Sequence, residues 1–342
     1  MKILVLRFSA MGDVAMTVPV IKALTEQNPD VQIVFVSRNF FKPFFQDIPQ
    51  VKFLGIDLKN NYKGIVGLFR LFIKFNKLKP NAIADLHDVL RTKILRIFFS
   101  VFGYKIVKIN KGRKEKKALT RSKNKIFKSL KTTHERYADV FRKLGYKVDL
   151  NLVQPIEKPK VSKKTDMFLR TFNKNKLLGI APFAAHEGKQ YPLEKTKEII
   201  QTILKKNKNV SILLFGGGKK EEDLLDKLEK IDSERIVNIA GKFLFNEELQ
   251  IISHLDKMLS MDSGNAHLAA LFGIPVYTIW GATHPYAGFM PFKQPVENQF
   301  IPDLKKFPQL PTSVYGNKTF LGFEQIWDTI STKTIVENLL KI

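Results

Sequence analysis

Four short segments set residues capable of chemistry directly after apolar, strand-like runs. In FSAMGDVAMTVP (Phe8 to Pro19), Asp13 follows Gly12 at a strand-to-helix turn. A carboxylate at a helix start gains about 0.3–1 kcal/mol from the helix dipole, and the same dipole suits the charged form that a general base needs. Cap and base are therefore compatible roles. With one glycine, the turn matches neither G-x-G-x-x-G nor G-x-x-x-x-G-K-[ST], which argues against a nicotinamide or P-loop site. In LSMDSGNAHLAALFG, Asp262, Ser263 and Gly264 follow a strand and open a short helix over Asn265 to Phe272. Asp262 is the expected N-cap, the amides around Ser263 and Gly264 point at an anion, and His267 sits on the first turn.

The other two segments carry charge to the same kind of place. In APFAAHEGKQYPLEK, Lys189 lies just after a strand and can meet a phosphate as a point charge. At an effective dielectric near 20, a contact of roughly 4 Å is worth about 4 kcal/mol before desolvation. In LLFGGGKKEEDLL, Gly216 to Gly218 allow a ligand close to the backbone, and Glu221 or Glu222 can accept ribose hydroxyls. No D-x-D or H-E-x-x-H spacing occurs, so a leaving diphosphate is expected to be met by Lys189 and helix-start amides. Neither a metal nor a cofactor is expected.

The elements that must position these residues are legible from pattern. Val-, Ile- and Leu-rich runs alternate with helical segments, as in a parallel sheet with crossover helices. Strands are expected near Lys2 to Arg7, Gln32 to Ser37, Lys52 to Ile56, Ala82 to Leu86 and Ile106 to Ile109. A helix over Thr133 to Leu144 stops at Gly145. After the Pro- and Lys-rich linker QPIEKPKVSKKTD the pattern restarts, with strands near Leu177 to Phe183, Val210 to Phe215, Ile236 to Ala240, Lys257 to Met261 and Val276 to Trp280. The segment from Pro285 to Pro311 is Pro-rich and irregular, and a helical stretch follows over Glu324 to Leu340. The reading is α/β: two Rossmann-like, doubly wound domains, 1–155 and 156–323, facing a central cleft, with a C-terminal helix over 324–342 expected to pack back toward the first domain.

Composition narrows the partners. The 342 residues include no cysteine, which excludes disulfides and thiolate metal sites, and no apolar stretch is long enough to span a bilayer. The formal net charge is +25, and between Lys105 and Lys131 twelve Lys or Arg residues face the single acid Glu115. Such a block attracts nucleic acid, anionic lipid or a phosphorylated glycolipid. No nucleic-acid motif accompanies it, so specific nucleic-acid binding is not expected. In YKGIVGLFRLFIKFNKLK, Lys63, Arg70, Lys74 and Lys77 share a helical stripe while Leu68, Phe69, Phe72, Ile73 and Phe75 fill the rest. This basic amphipathic helix fits either a membrane surface or a core, and VLRTKILRIFFSVF repeats the mixture.

Taken together and in this order, the four segments resemble the heptosyltransferases, glycosyltransferase family nine. The most specific stretches are ILVLRFSAMGDVAMTVPVIKAL and MDSGNAHLAALFGIPVYTIWGATHP. The resemblance implies a GT-B fold and inverting, metal-independent transfer of heptose from an ADP-sugar donor to an anionic glycolipid acceptor, the core and lipid A region of lipopolysaccharide. It implies a cytoplasmic enzyme associated peripherally with the anionic inner face of the inner membrane. The family's catalytic aspartate falls on Asp13, its phosphate-binding lysine on Lys189, its D-[ST]-G-x-x-H segment on Asp262, Ser263, Gly264 and His267, and its ribose-binding glutamate on Glu221 or Glu222. On the acceptor side it implies Ser9, Arg91 in DLHDVLRTK, and His134 and Arg136 in HERYADVFRKLG. Ala184 and Ala185 depart from the hydroxyl residues the family carries before its lysine, so phosphate contacts at that loop would come from backbone amides.

Overall fold

The computed structural model describes residues 1–58, 60–172 and 175–341. It divides into two compact units, Met1–Lys111 with Lys131–Gln154, and Gly112–Leu130 with Pro155–Ile342. In chain order the first unit holds β1 (Lys2–Leu6), α1 (Met11–Ala15), α2 (Val18–Gln27), β2 (Gln32–Ser37), β3 (Val51–Gly55), α3 (Gly64–Asn76), β4 (Ala82–Asp85), α4 (Leu90–Val101) and β5 (Lys105–Lys108). The chain then gives α5 (Arg113–Thr120) to the second unit and resumes the first with α6 (Thr133–Leu144). All strand pairs are parallel, in the order β3-β2-β1-β4-β5. Strand order reverses between β1 and β4, so the loops leaving these two strands part at the carboxyl edge, where open parallel sheets bind ligands. Asp13 and the Leu86–Val89 exit are placed by that reversal.

The apolar runs form strands because both faces of each sheet are covered. Ile3 to Leu6 are fully buried, with Val34, Phe72, Phe75 and Phe99 among the residues around them. Pro19 at the second position of α2 ends the short α1 and starts a new helix. Gly145, at φ +101°, closes α6 as expected.

The second unit continues with α7 (Lys163–Arg170), β6 (Lys176–Ala181), α8 (Leu193–Lys206), β7 (Val210–Leu214), α9 (Lys219–Glu229), β8 (Ile236–Asn238), α10 (Phe245–Ile252), β9 (Lys257–Met261), α11 (Gly264–Leu271), β10 (Val276–Ile279), β11 (Gln299–Phe300) and α12 (Thr332–Leu340). Its order is β11-β10-β9-β6-β7-β8, again all parallel, with the reversal between β6 and β9. The Pro-rich stretch contributes β11, a strand of two residues that leaves no pattern to read. Ile335, Val336 and Leu339 of α12 are buried in the second unit's own core with Ile199 and Ile203 of α8; residue 342 lies outside the described residues. Among the described residues, no helix is long and apolar enough to cross a membrane.

The first unit is not the contiguous 1–155 segment that the pattern suggests, because Gly112–Leu130 belongs to the second. Leu119 and Leu130 are buried with Ala287, and the Leu130 amide donates to the Tyr286 carbonyl. The Lys116 ammonium stands 3.9 Å from the centre of the Phe289 ring. Lys125 donates to the carbonyls of Gln309 (2.6 Å), Leu310 (2.8 Å) and Pro311 (3.2 Å), and burial lowers its pKa. Two buried leucines in nineteen residues are too few to create a period, so only the lysines were visible in sequence. Part of the lysine block is thus internal structure and not a free polyanion site. Lys125→Met is expected to strand those carbonyls and weaken docking of the segment by about 1.5 kcal/mol. Hydrogen exchange should show amides in 113–130 opening roughly tenfold faster, with the first unit unchanged.

Candidate active site residues

At the carboxyl end of β1 the first unit sets a buried cation. Arg7 is 5% exposed; one amino group donates to the Leu86 carbonyl (2.8 Å) and the other pairs with Asp13 Oδ2 at 2.6 Å. Its guanidinium also lies 5.8 Å from the Tyr137 ring centre. Asp13, in the first turn of α1, accepts the Ala10 amide on the same Oδ2 at 3.3 Å and keeps a third of its side chain exposed. The carboxylate thus bonds the backbone before the helix through Oδ2 while part of it stays exposed. Ser9, half-buried, shares the turn.

The β4 exit is built around Asp85, whose Oδ1 accepts the amides of His87 and Asp88, both at 2.9 Å, while Arg96 pairs with Asp85 and Asp88. His87 Nδ1 accepts the Phe8 amide at 3.4 Å, so its ring proton sits on Nε2. Burial first, then Arg7 and Lys111 against the opposing pull of Asp13, lowers the His87 pKa to about 3. Arg7 and His87 were missed in the sequence. The available signal was a charge closing an otherwise apolar strand, and a histidine directly after another.

The acceptor-side candidates separate. Arg91 is exposed near the start of α4, whereas His134 and Arg136 are buried. Arg136 donates to the carbonyls of Asn110 and Lys131, at 3.2 and 3.1 Å. It ties together the points where the chain leaves the first unit and returns to it.

In the second unit, Lys189 follows β6 in the turn Glu187–Lys189, and its ammonium lies 2.9 Å from Asp262 Oδ2. Thr283 Oγ1 donates to the same oxygen at 2.8 Å. Asp262 is therefore not the N-cap that the sequence suggested. Ser263 holds that position, and its hydroxyl pairs with Ser260 without capping α11. The reason is magnitude: a side-chain cap is worth about 1 kcal/mol. Breaking a buried ion pair costs about 3–5 kcal/mol. Gly264 begins α11, and His267 is buried on its first turn.

A loop with no readable signature supports the lysine. Gly316, at φ +84°, packs on the Lys189 stem so closely that a Cβ would lie 2.2 Å from Cγ. Ser313 Oγ accepts the amides of Tyr315, Gly316 and Asn317, which holds that loop in place. Glu221 folds back to accept the Gly217 amide at 2.9 Å, while Glu222 lies against Gly241. A cavity of about 300 Å³ adjoins the Lys189 turn, lined by residues including Phe183, Gln190, Leu193 and Leu224. His284, next to Thr283, is buried, accepts the Tyr286 amide on Nδ1, and has its pKa lowered to about 4 by burial and Lys125. It too escaped the sequence reading.

Residues 102–310 match the family described as glycosyltransferase family 9 (heptosyltransferase). Lipopolysaccharide heptosyltransferase 1 of Campylobacter coli is 26% identical over 299 residues, covering 84% of this chain and 85% of that relative. A family 9 glycosyltransferase structure from Veillonella parvula superposes with a TM-score of 0.71 at 16% identity, covering 98% of this chain and 97% of the other. The Escherichia coli ADP-heptose lipopolysaccharide heptosyltransferase II does so at 0.69 and 17% identity, covering 99% and 97%. These likenesses confirm the GT-B class, with two Rossmann-like α/β domains.

Two outcomes follow from the geometry. Gly316→Ala is expected to displace the Lys189 stem and lower stability by about 1–3 kcal/mol in urea unfolding, with the overall fold retained by circular dichroism. The second concerns acid. His87 and His284 stay neutral in the folded chain, while unfolded histidines take up protons near pH 6.5. The unfolded state then binds more protons, so their contribution to stability, complete above pH 6.5, is lost as pH falls toward 3 to 4. Urea midpoints should drop through that window, and His87→Gln or His284→Gln should flatten the slope.

Proposed function

We propose a specific reaction from one premise: the chain belongs to glycosyltransferase family 9 and is a glycosyltransferase. It transfers heptose from an ADP-sugar to an anionic glycolipid of the lipopolysaccharide core and lipid A region, with inversion and without a metal, at the inner face of the inner membrane. The observation that carries this reading is the Lys189–Asp262–Thr283 cluster beside the start of α11. A lysine held this way, still 15% exposed, is ready to meet a diphosphate, and the amides at Ser263 and Gly264 add donors. Glu221, in the first turn of α9 and bonded to the Gly217 amide, takes the ribose hydroxyls, and the neighbouring cavity suits a base.

In the reaction, Asp13 Oδ1 takes the proton of the acceptor hydroxyl as its oxygen attacks the anomeric carbon. The bond from that carbon to the diphosphate oxygen breaks, and ADP leaves with the electron pair. Arg7 and the Ala10 amide fix the carboxylate through Oδ2. Ser9 and Arg91 contact the acceptor, and the buried His134 and Arg136 shape the unit that holds it.

Asp13→Asn is expected to keep ADP binding and lower kcat by about 10²- to 10⁴-fold. Near wild-type turnover would remove the base. In thermal-shift measurements ADP should stabilise the protein while UDP and GDP do not; the reverse pattern overturns the donor assignment.

A further inference from the structure

The helices α3 and α4 of the first unit expose a continuous apolar face that the reaction does not use. Helix α3 is divided lengthwise into three sectors. Leu68, Leu71, Phe72 and Phe75 are buried in the core. Ile65, Phe69 and Ile73, spaced by four, form with Val66 a second apolar sector that is exposed, Ile65 and Val66 each by 67%. Arg70, Lys74 and Lys77 form a third, basic and exposed. One side of the helix is therefore core, and the other is left exposed.

Helix α4 extends the exposed sector. Leu90, Ile97 and Val101 lie on one face, with exposures of 73%, 61% and 79%. Phe69 of α3 meets Phe98 of α4 edge to face at 5.5 Å, which joins the two surfaces. Monomeric proteins rarely leave so large an apolar patch uncovered without a partner. Its charge says which kind of partner. No acidic residue occurs from 58 to 84 or from 89 to 114, so the charged residues of both helices are all basic. A second copy of this chain would bring like charge against like, which disfavours self-association.

We propose that the α3–α4 face is a docking surface for the interfacial region of an anionic lipid bilayer, with the apolar sector entering the acyl boundary and the Arg70–Lys74–Lys77 sector lying among the head groups. Leu90 and Arg91 follow directly on the β4 exit loop that meets Arg7 and Phe8, so this surface joins the site assigned to the acceptor. The proposal rests on the transferase reading only for the lipid nature of that acceptor.

The full chain, without donor or acceptor, is co-sedimented with phosphatidylcholine vesicles with or without phosphatidylglycerol. Binding is expected only with phosphatidylglycerol and should weaken as salt is raised. The triple variant Val66→Ser, Ile97→Ser, Val101→Ser should lose at least about tenfold in vesicle affinity, and Arg70→Gln with Lys74→Gln roughly fivefold for each charge removed. All are surface changes and should retain the wild-type melting temperature. Absence of binding to anionic vesicles, or equal binding by the triple variant, overturns the proposal. So does a concentration-dependent dimer, seen by sedimentation and abolished by the same variant, since it would give the face to a second copy. A chain that binds ADP but no vesicle defeats this inference and the placement at the membrane while leaving the donor reading intact, and one that binds vesicles but not ADP defeats the donor reading alone.

Discussion

Arg7 is a guanidinium buried at the end of a central strand, and the carboxyl edge of the first unit supplies partners for its two amino groups while Nε is left without one among the described residues. A cation there is tolerable only when its charge is paired and most of its donors are met. Asp13 supplies the charge, the Leu86 carbonyl a hydrogen bond, and Tyr137 an aromatic face. The tyrosine hydroxyl in turn donates to the Asp13 carbonyl at 3.4 Å. One buried charge thus connects β1, the start of α1, the β4 exit and α6. The position of the proposed base follows from that network and not from α1, which at five residues is too short to hold itself.

The second unit solves the same problem with the charges exchanged. Asp262 is the more buried partner and Lys189 the more exposed, and both lie where strand order reverses, between β6 and β9. Gly316 and Gly188 let neighbouring backbone close on the lysine turn, and the Ala282 amide donates to the Gly188 carbonyl. The lysine stem is therefore confined by backbone, which side-chain rearrangement cannot easily loosen.

Net charge proved a poor guide to the role of any single lysine. Lys125 is consumed by carbonyls and Lys116 by an aromatic ring, while Arg70, Lys74 and Lys77 remain exposed beside apolar side chains. A lysine carries both a long apolar stem and a strongly hydrated head, so its setting decides which end matters.

The sequence by itself determined the α/β class, the parallel strands, the stop at Gly145, and the appearance of Asp13, Lys189 and Asp262 just past strand ends. Burial on both faces writes continuous apolar runs, and caps and turns act within a few residues, so both leave local marks. Only the tertiary structure decided which charge meets which: Arg7 with Asp13, Asp262 with Lys189 in place of α11, Arg136 with two carbonyls. It also decided that Gly112–Leu130 serves the second unit and that α12 packs on α8. These choices are made between groups far apart in the chain, as when Lys125 meets the Leu310 carbonyl 185 residues away. Such pairs are selected by the cost of leaving a buried polar group unmatched, which has no period and no spacing to read.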